Sequence, residues 1–142
     1  MIYTENTKKA LILAYNAHYG QEDKFGIPYI FHPVHLAESM DSETECIVAL
    51  LHDVVEDTNI TMEELEHEFS SEVIDALRLL THDKSVPYEE YILNLKDNPI
   101  ARKVKLADLK HNSDITRLSH ITQKDIERNK KYENAIKILT KK

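Results

Sequence analysis

The sequence has few of the residues that make a chain flexible or cross-linked: two glycines, four prolines and one cysteine among 142 residues. So little glycine and proline excludes long flexible segments, and 42% apolar with 30% charged residues is a globular composition. The single cysteine excludes an internal disulfide, and we expect Cys46 to be a core residue because it lies in the apolar run 46–51. A chain of this length buries enough surface to fold without a cross-link.

Long hydrophobic runs are missing as well. No stretch approaches the roughly 18 apolar residues of a membrane span. The N-terminal segment Met1–Glu5 lacks the basic-then-apolar order of a signal peptide. We therefore expect a cytoplasmic protein that has no membrane partner.

Positive charge is scarce, because 18 lysines and arginines face 25 aspartates and glutamates and the net charge is −7. Broad nucleic-acid binding requires a basic surplus to neutralise phosphates, so nucleic acid is excluded as a partner. A small phosphorylated nucleotide remains compatible with this charge, since a metal and a few cations can reverse the field inside one cleft.

The patterning predicts an all-α protein. Apolar residues recur at helical spacing, as in Leu65, Phe69 and Val73, and strand-like alternation is absent. No repeat or composition break divides the chain, so we expect residues 1–142 to form one compact single-domain helical bundle of seven or eight helices. The expected helices span 4–19, 31–40, 43–57, 61–69, 71–82, 87–95, 98–118 and 122–140.

The segment 49–58 concentrates ionisable residues at the end of a hydrophobic run. In a continuous helix His52 lies over Glu56, and Asp53 lies over Asp57, so four such groups share one broad face. Buried carboxylates must be paired, protonated or bound to metal, which makes this face a candidate metal site. The alternative is a solvated helix end.

Two further segments offer polar groups of the same kind. Lys105, Asp108, His111 and Asn112 share one helix face, although a solvated stripe would have the same spacing. His32 stands before Pro33, where a loop meets a helix, and is either another ligand or a packed core histidine. The pair His82-Asp83 is interpreted as a surface helix end.

In order and spacing these motifs resemble the HD-domain phosphohydrolases, specifically the hydrolase domain of RelA/SpoT proteins and the small alarmone hydrolases. The resemblance spans nearly the whole chain. Its motifs are His18-Tyr19-Gly20-Gln21, Gly26 with Pro28-Tyr29-Ile30 and His32-Pro33, the segment 51–58, and Lys105-Leu106-Ala107-Asp108 with His111-Asn112.

The resemblance implies an HD-type helical bundle with one metal site. Its metal ligands would be His32, His52, Asp53 and Asp108. Two imidazoles and two carboxylates with water suit Mn²⁺, or another divalent transition metal, better than a closed thiolate zinc site.

The resemblance also implies catalytic and substrate-binding residues. Glu56 and Asp57 would activate the attacking water, a role that their helical phase one turn beyond the ligands also favours. Asn112 would lie near the nucleotide sugar. Lys24 and Lys105 are the candidates to offset substrate charge.

The implied reaction releases pyrophosphate from the 3′ position of guanosine tetra- or pentaphosphate. The chain departs from the family pattern at Asp23 and Asp114, where the alarmone hydrolases usually carry arginine. Two alternatives therefore stay open: an HD-type phosphohydrolase acting on another nucleotide or small phosphate ester, and a non-catalytic nucleotide sensor.

Overall fold

The computed structural model describes residues 1–114 and 120–141, and this part of the chain forms nine α-helices. The helices are α1 Glu5–Ala17, α2 Phe31–Glu38, α3 Glu43–Leu51, α4 Val54–Asp57, α5 Met62–Glu66, α6 Ser71–Leu80, α7 Tyr88–Leu95, α8 Pro99–Asn112 and α9 Gln123–Thr140. No strand occurs in the described ranges, where a single bridge pairs Glu22 with Pro28. The prediction of an all-helical fold is confirmed.

Local capping explains where most of the helices begin. The side chains of Thr61 and Thr122 accept hydrogen bonds from the first turns of α5 and α9 in two capping boxes. Asn98 caps α8 just before Pro99, which suits the first helical position because proline lacks an N–H donor. The helix starts are therefore encoded next to the residues that begin them.

One predicted helix, 43–57, is wrong as a single element. It divides at His52 and Asp53 into α3 and α4, and Asp53 adopts φ −107° and ψ 0° between them. The hydrophobic pattern could not reveal the break, because apolar residues resume after it with Val54, which is as buried as Leu50 and Leu51. The predicted helix 98–118 ends at Asn112, and positions 115–118 lie outside the described residues.

Helix α3 is the centre of the core, and it packs against α1, α2, α6 and α8. All residues of the run 46–51 are buried, including Cys46 as expected. Full burial of a leucine side chain such as Leu50 contributes about 1.5–3 kcal/mol. This packing fixes the C-terminal end of α3, where the polar pair His52-Asp53 follows.

Helix α9 packs on α7 and α8 and closes the bundle. Its buried residues Ala135 and Leu139 belong to the same core. Among the described residues, no helix has both the length and the apolar character that crossing a bilayer requires.

Candidate metal centre

Three helices bring the four predicted ligands together. His32 lies in the first turn of α2, His52 and Asp53 lie at the break between α3 and α4, and Asp108 lies on α8. The Nε2 atom of His32 is 2.8 Å from Asp108 Oδ1, and the Nε2 atom of His52 is 3.0 Å from Asp53 Oδ2 and 3.6 Å from Asp108 Oδ1. His32, His52 and Asp108 are only 8%, 4% and 6% exposed.

The surroundings of the buried Nε2 atom of His52 indicate whether a cation fits this cluster. The Nδ1 atom of His52 lies 2.7 Å from the carbonyl oxygen of Ala49, so Nδ1–H donates there and Nε2 is the ring atom that a metal would use. Nε2 has no hydrogen-bond partner in the described part of the chain, although it faces two carboxylates. One atom each from His32, His52 and Asp53 lie within 4.8 Å of one another, close enough to share an ion.

The electrostatics also favour a cation. Burial opposes protonation of His52, but Asp53 and Asp108 outweigh it and raise the pKa of the imidazole well above its ordinary value. Burial would raise the pKa of Asp108, yet the Lys105 ammonium and the His32 imidazole hold that pKa well below its usual range. Asp53 and Asp108 therefore create a negative potential at the His52 imidazole in a place that water barely reaches, and a bound divalent metal ion would be stabilised there in place of a proton.

Asp53 and Asp108 are held in place by neighbouring donors. The Tyr29 hydroxyl donates to Asp53, and burial together with that carboxylate raises the pKa of the tyrosine, so the donor stays protonated. Lys105 Nζ is 3.1 Å from Asp108 Oδ2, and Asn112 Nδ2 is 2.9 Å from Asp108 Oδ1. Such outer contacts orient ligands and tune metal affinity.

His111 contacts the His32 ring through the nitrogen atom that faces away from the metal cluster. The Nδ1 atoms of these two residues are 2.7 Å apart, and their rings stack with centroids at 4.9 Å. With Nε2 of His32 turned to the metal cluster, its Nδ1–H is the donor and Nδ1 of His111 is the acceptor.

We expect His111→Phe to weaken Mn²⁺ binding by about 10–100-fold, because it keeps a ring beside His32 but removes the acceptor that fixes its tautomer. Calorimetric titration of the purified proteins measures the affinity. His35→Phe is the matched control, since the His35 ring contacts His111, at 4.4 Å, rather than a predicted ligand. Equal Mn²⁺ affinities in His111→Phe and the unmodified protein would contradict this role.

The predicted catalytic carboxylates lie on α4, directly after the break. Glu56 accepts a hydrogen bond from the backbone N–H of His82. Burial, with Asp53 and Asp57 adding to it, raises the pKa of Glu56, and burial and Asp53 likewise raise the pKa of Asp57. A carboxylate with a raised pKa is a better proton acceptor, as general base catalysis requires.

The loop between α1 and α2 anchors α4. The Gln21 side chain donates from Nε2 to the carbonyl oxygen of Asp57 at 2.8 Å, and its Oε1 atom is 2.8 Å from Nδ1 of the buried His18. His18 thus braces the loop by hydrogen bonding. Gly20 begins the loop with φ +86°, a left-handed conformation that favours glycine.

A cleft of 180 Å³ opens beside the cluster. Of the predicted site residues, those that line it are His52, Asp53, Glu56, Lys105, Asp108 and Asn112. Lys24 does not line this cleft, and its ammonium lies 3.9 Å from Asp125 on α9. The substrate-binding role of Lys24 therefore stays a prediction without support from its position.

The cleft also contains residues that the sequence analysis missed. The interpretation of the pair His82-Asp83 as a surface helix end is wrong for His82, whose half-buried ring stacks on Tyr91 at 4.4 Å and lines the cleft, whereas Asp83 is exposed. Lys131 and Tyr132 reach the cleft from α9. No sequence motif identified these residues, because their position at the cleft depends on how the helices pack against one another.

Comparison with known proteins places this chain in a family. A model described as "HD domain" matches residues 10–137. Human guanosine-3′,5′-bis(diphosphate) 3′-pyrophosphohydrolase MESH1 is 38% identical over 103 residues, 65% of this chain and 58% of the human protein. The protein from Borreliella burgdorferi named guanosine-3′,5′-bis(diphosphate) 3′-pyrophosphohydrolase is 36% identical over 129 residues, 80% of this chain and 19% of that protein.

A solved structure agrees over almost the whole chain. It is described by the words "A metazoan ortholog of SpoT hydrolyzes ppGpp and plays a role in starvation responses", and its TM-score with this chain is 0.78 at 25% sequence identity. The match covers 99% of this chain and 88% of that one.

The fold and the buried histidine–aspartate cluster define a metal-dependent HD domain, and the chain belongs to the HD domain family. The chain spans 19% to 58% of the length of the two curated relatives described above.

Proposed function

We propose that this protein is a Mn²⁺-dependent 3′-pyrophosphohydrolase acting on guanosine 3′,5′-bis(diphosphate), ppGpp, and on the corresponding pentaphosphate. The observation that carries the proposal is one cleft in which the buried histidine–aspartate cluster adjoins the Glu56 carboxylate. The human and Borreliella burgdorferi relatives are both named as 3′-pyrophosphohydrolases of guanosine-3′,5′-bis(diphosphate), which supports the choice of substrate.

The proposed metal site consists of His32, His52, Asp53 and Asp108. A divalent metal held by these residues would lower the pKa of bound water and polarise a phosphoryl oxygen. Nitrogen and oxygen donors together suit Mn²⁺.

The protein's own groups have distinct parts in the proposed hydrolysis. Glu56 orients the attacking water and takes its proton, while Asp57 keeps the local potential negative so that this proton is accepted readily. The Lys105 ammonium is held by Asp108 and by the Tyr91 ring at 5.3 Å, and its charge faces the transferring group. Asn112 donates to Asp108 through Nδ2, which leaves its Oδ1 atom for a ribose hydroxyl.

The test is incubation of the purified protein with Mn²⁺ and ppGpp, followed by quantification of pyrophosphate and GDP. We expect both products in equal amounts and none without metal. A protein that binds Mn²⁺ stoichiometrically yet leaves ppGpp unchanged would refute the proposed substrate.

A second candidate is a phosphohydrolase of the same chemistry acting on another nucleotide or small phosphate ester. It is favoured by the acidic residues Asp23 and Asp114 and by the position of Lys24 beside Asp125, which leave fewer cations for a guanosine tetraphosphate. A panel of phosphorylated metabolites at equal concentration separates the candidates by kcat/KM. Tight ppGpp binding without turnover would instead favour the non-catalytic sensor.

A further inference from the structure

A groove between α7 and α9 adjoins the catalytic cleft. Its volume is 760 Å³, compared with 180 Å³ for the cleft. Tyr88 and Lys131 line both cavities, so the cleft and the groove adjoin each other at these two side chains. The apolar floor of the groove is formed by Ile92, Ala135 and Ile138.

The groove is positively charged in a protein whose net charge is −7. Its charged lining residues are Lys130, Lys131, Lys137, Lys141, Glu89 and Glu127. Four lysines against two glutamates leave an excess of two positive charges. Within residues 1–114 and 120–141, none of the four ammonium groups lies within 4 Å of a carboxylate oxygen.

Tyr88 and Lys131, which lie at the junction between cleft and groove, each carry a hydrogen-bond donor. The Lys131 ammonium lies 4.0 Å from the centroid of the Tyr88 ring, an arrangement that holds the cation at the mouth of the groove. The Tyr88 hydroxyl is buried and has no hydrogen-bond partner among the described residues. A buried donor without a partner is costly, and an anionic oxygen at this junction would satisfy it.

We propose that the α7–α9 groove binds the phosphate groups of the substrate that are remote from the scissile bond. This inference rests on the proposed function, since ppGpp carries a second diphosphate at its 5′ position. With the 3′-diphosphate at the metal, the 5′-diphosphate passes Lys131 and lies against α9. Lys130 and Lys137 are two helical turns apart, about 10 Å at 1.5 Å per residue, so they share one face along the groove.

The test compares two substrates that differ only at the 5′ position: ppGpp, with a 5′-diphosphate, and guanosine 3′-diphosphate, with a 5′-hydroxyl. The double variant Lys130→Gln/Lys137→Gln and the single variant Lys131→Gln remove positive charge from the groove. We expect each to raise KM for ppGpp by about tenfold and to leave kcat for ppGpp near its original value. In the unmodified protein KM should be lower for ppGpp than for the 5′-hydroxyl substrate, and this difference should become smaller in the variants. The variant Lys131→Arg, which keeps the charge, should retain the original difference.

Lys110→Gln is the matched control, because Lys110 is an exposed lysine on α8 that lines a different cavity. It should change the KM ratio of the two substrates by less than twofold. If the groove lysines had only a structural role, their substitution would change the KM values for both substrates by the same factor. An unchanged ratio in the groove variants would overturn the inference.

Direct binding separates this inference from the proposed function. Calorimetry in metal-free buffer, where hydrolysis does not proceed, measures the affinity for ppGpp and for guanosine 3′-diphosphate. If the unmodified protein binds ppGpp but never hydrolyses it, the function fails, while weaker ppGpp binding in Lys131→Gln still supports the groove. If hydrolysis occurs and the groove variants bind both ligands like the unmodified protein, only the groove assignment fails.

Discussion

Asp108→Asn is expected to reduce Mn²⁺ affinity by at least about 100-fold and to abolish hydrolysis at micromolar Mn²⁺. The substitution keeps the size of the side chain but removes one anionic ligand from the buried cluster. It also places an amide where Lys105, His32 and Asn112 now meet carboxylate oxygens. Calorimetric titration with Mn²⁺ and the initial rate of pyrophosphate release measure the two effects.

The same substitution leaves a buried cation without its counter-ion. Lys105 is mostly buried, and burial lowers its pKa while Asp108 outweighs this and raises it. Removing one partner of such a pair costs about 3–5 kcal/mol of folding stability. The double variant Lys105→Met/Asp108→Asn removes the unpaired charge, so its metal affinity reports on the ligand alone. Mn²⁺ binding by a folded double variant as tight as that of the unmodified protein would exclude Asp108 as a ligand.

Glu56→Gln is expected to lower kcat by about 10²–10⁴-fold and to leave Mn²⁺ affinity within about threefold. Glutamine can still accept the hydrogen bond from the His82 backbone, but it cannot take a proton from water. Stopped-time assays with saturating ppGpp and Mn²⁺ measure kcat. Glu63→Gln, on the exposed side of α5, is the control and should retain full activity.

The pH profile adds a second readout for Glu56. Its pKa is raised by burial and by Asp53 and Asp57, so the carboxylate takes up a proton at a higher pH than an exposed glutamate does. The base form is the active one, and kcat should therefore fall as the pH decreases through this raised pKa. That acidic limb should disappear in Glu56→Gln. A variant that keeps full activity with the same acidic limb would rule out Glu56 as the base.

The helices could be predicted from the sequence because each depends on nearby residues. Helical spacing of apolar residues and caps such as Thr61 and Thr122 located most helices within a few residues, but the helix predicted over 43–57 is divided and the one predicted over 98–118 ends at Asn112. The break at His52 and Asp53 could not be predicted, because Val54 and Val55 follow Leu50 and Leu51 at a spacing of four residues, as they would in a continuous helix. The side chains at the break are engaged by Ala49 and by the distant Tyr29, and such contacts exist only in the folded chain.

In the candidate site, too, the residues in local motifs could be predicted and those positioned by tertiary contacts could not. The predicted ligands each lie in a short polar motif within an otherwise apolar segment, and three helices bring them together. Lys24 was predicted to bind substrate because it lies in a loop motif. The position of a loop side chain depends on its tertiary contacts, which the motif does not specify. Its partner in the structure is Asp125, while the cleft is lined by the predicted Lys105 and by Lys131, which lies on a mostly polar face of α9.

The most direct measurement is an anomalous difference map from crystals of the protein grown with Mn²⁺. We expect one strong peak within about 2.0–2.4 Å of ligand atoms from His32, His52, Asp53 and Asp108, with Glu56 in the adjoining cleft. A map in which manganese binds elsewhere, or in which the His32 or Asp108 side chain turns away from the ion, would contradict the metal centre and the hydrolase built on it.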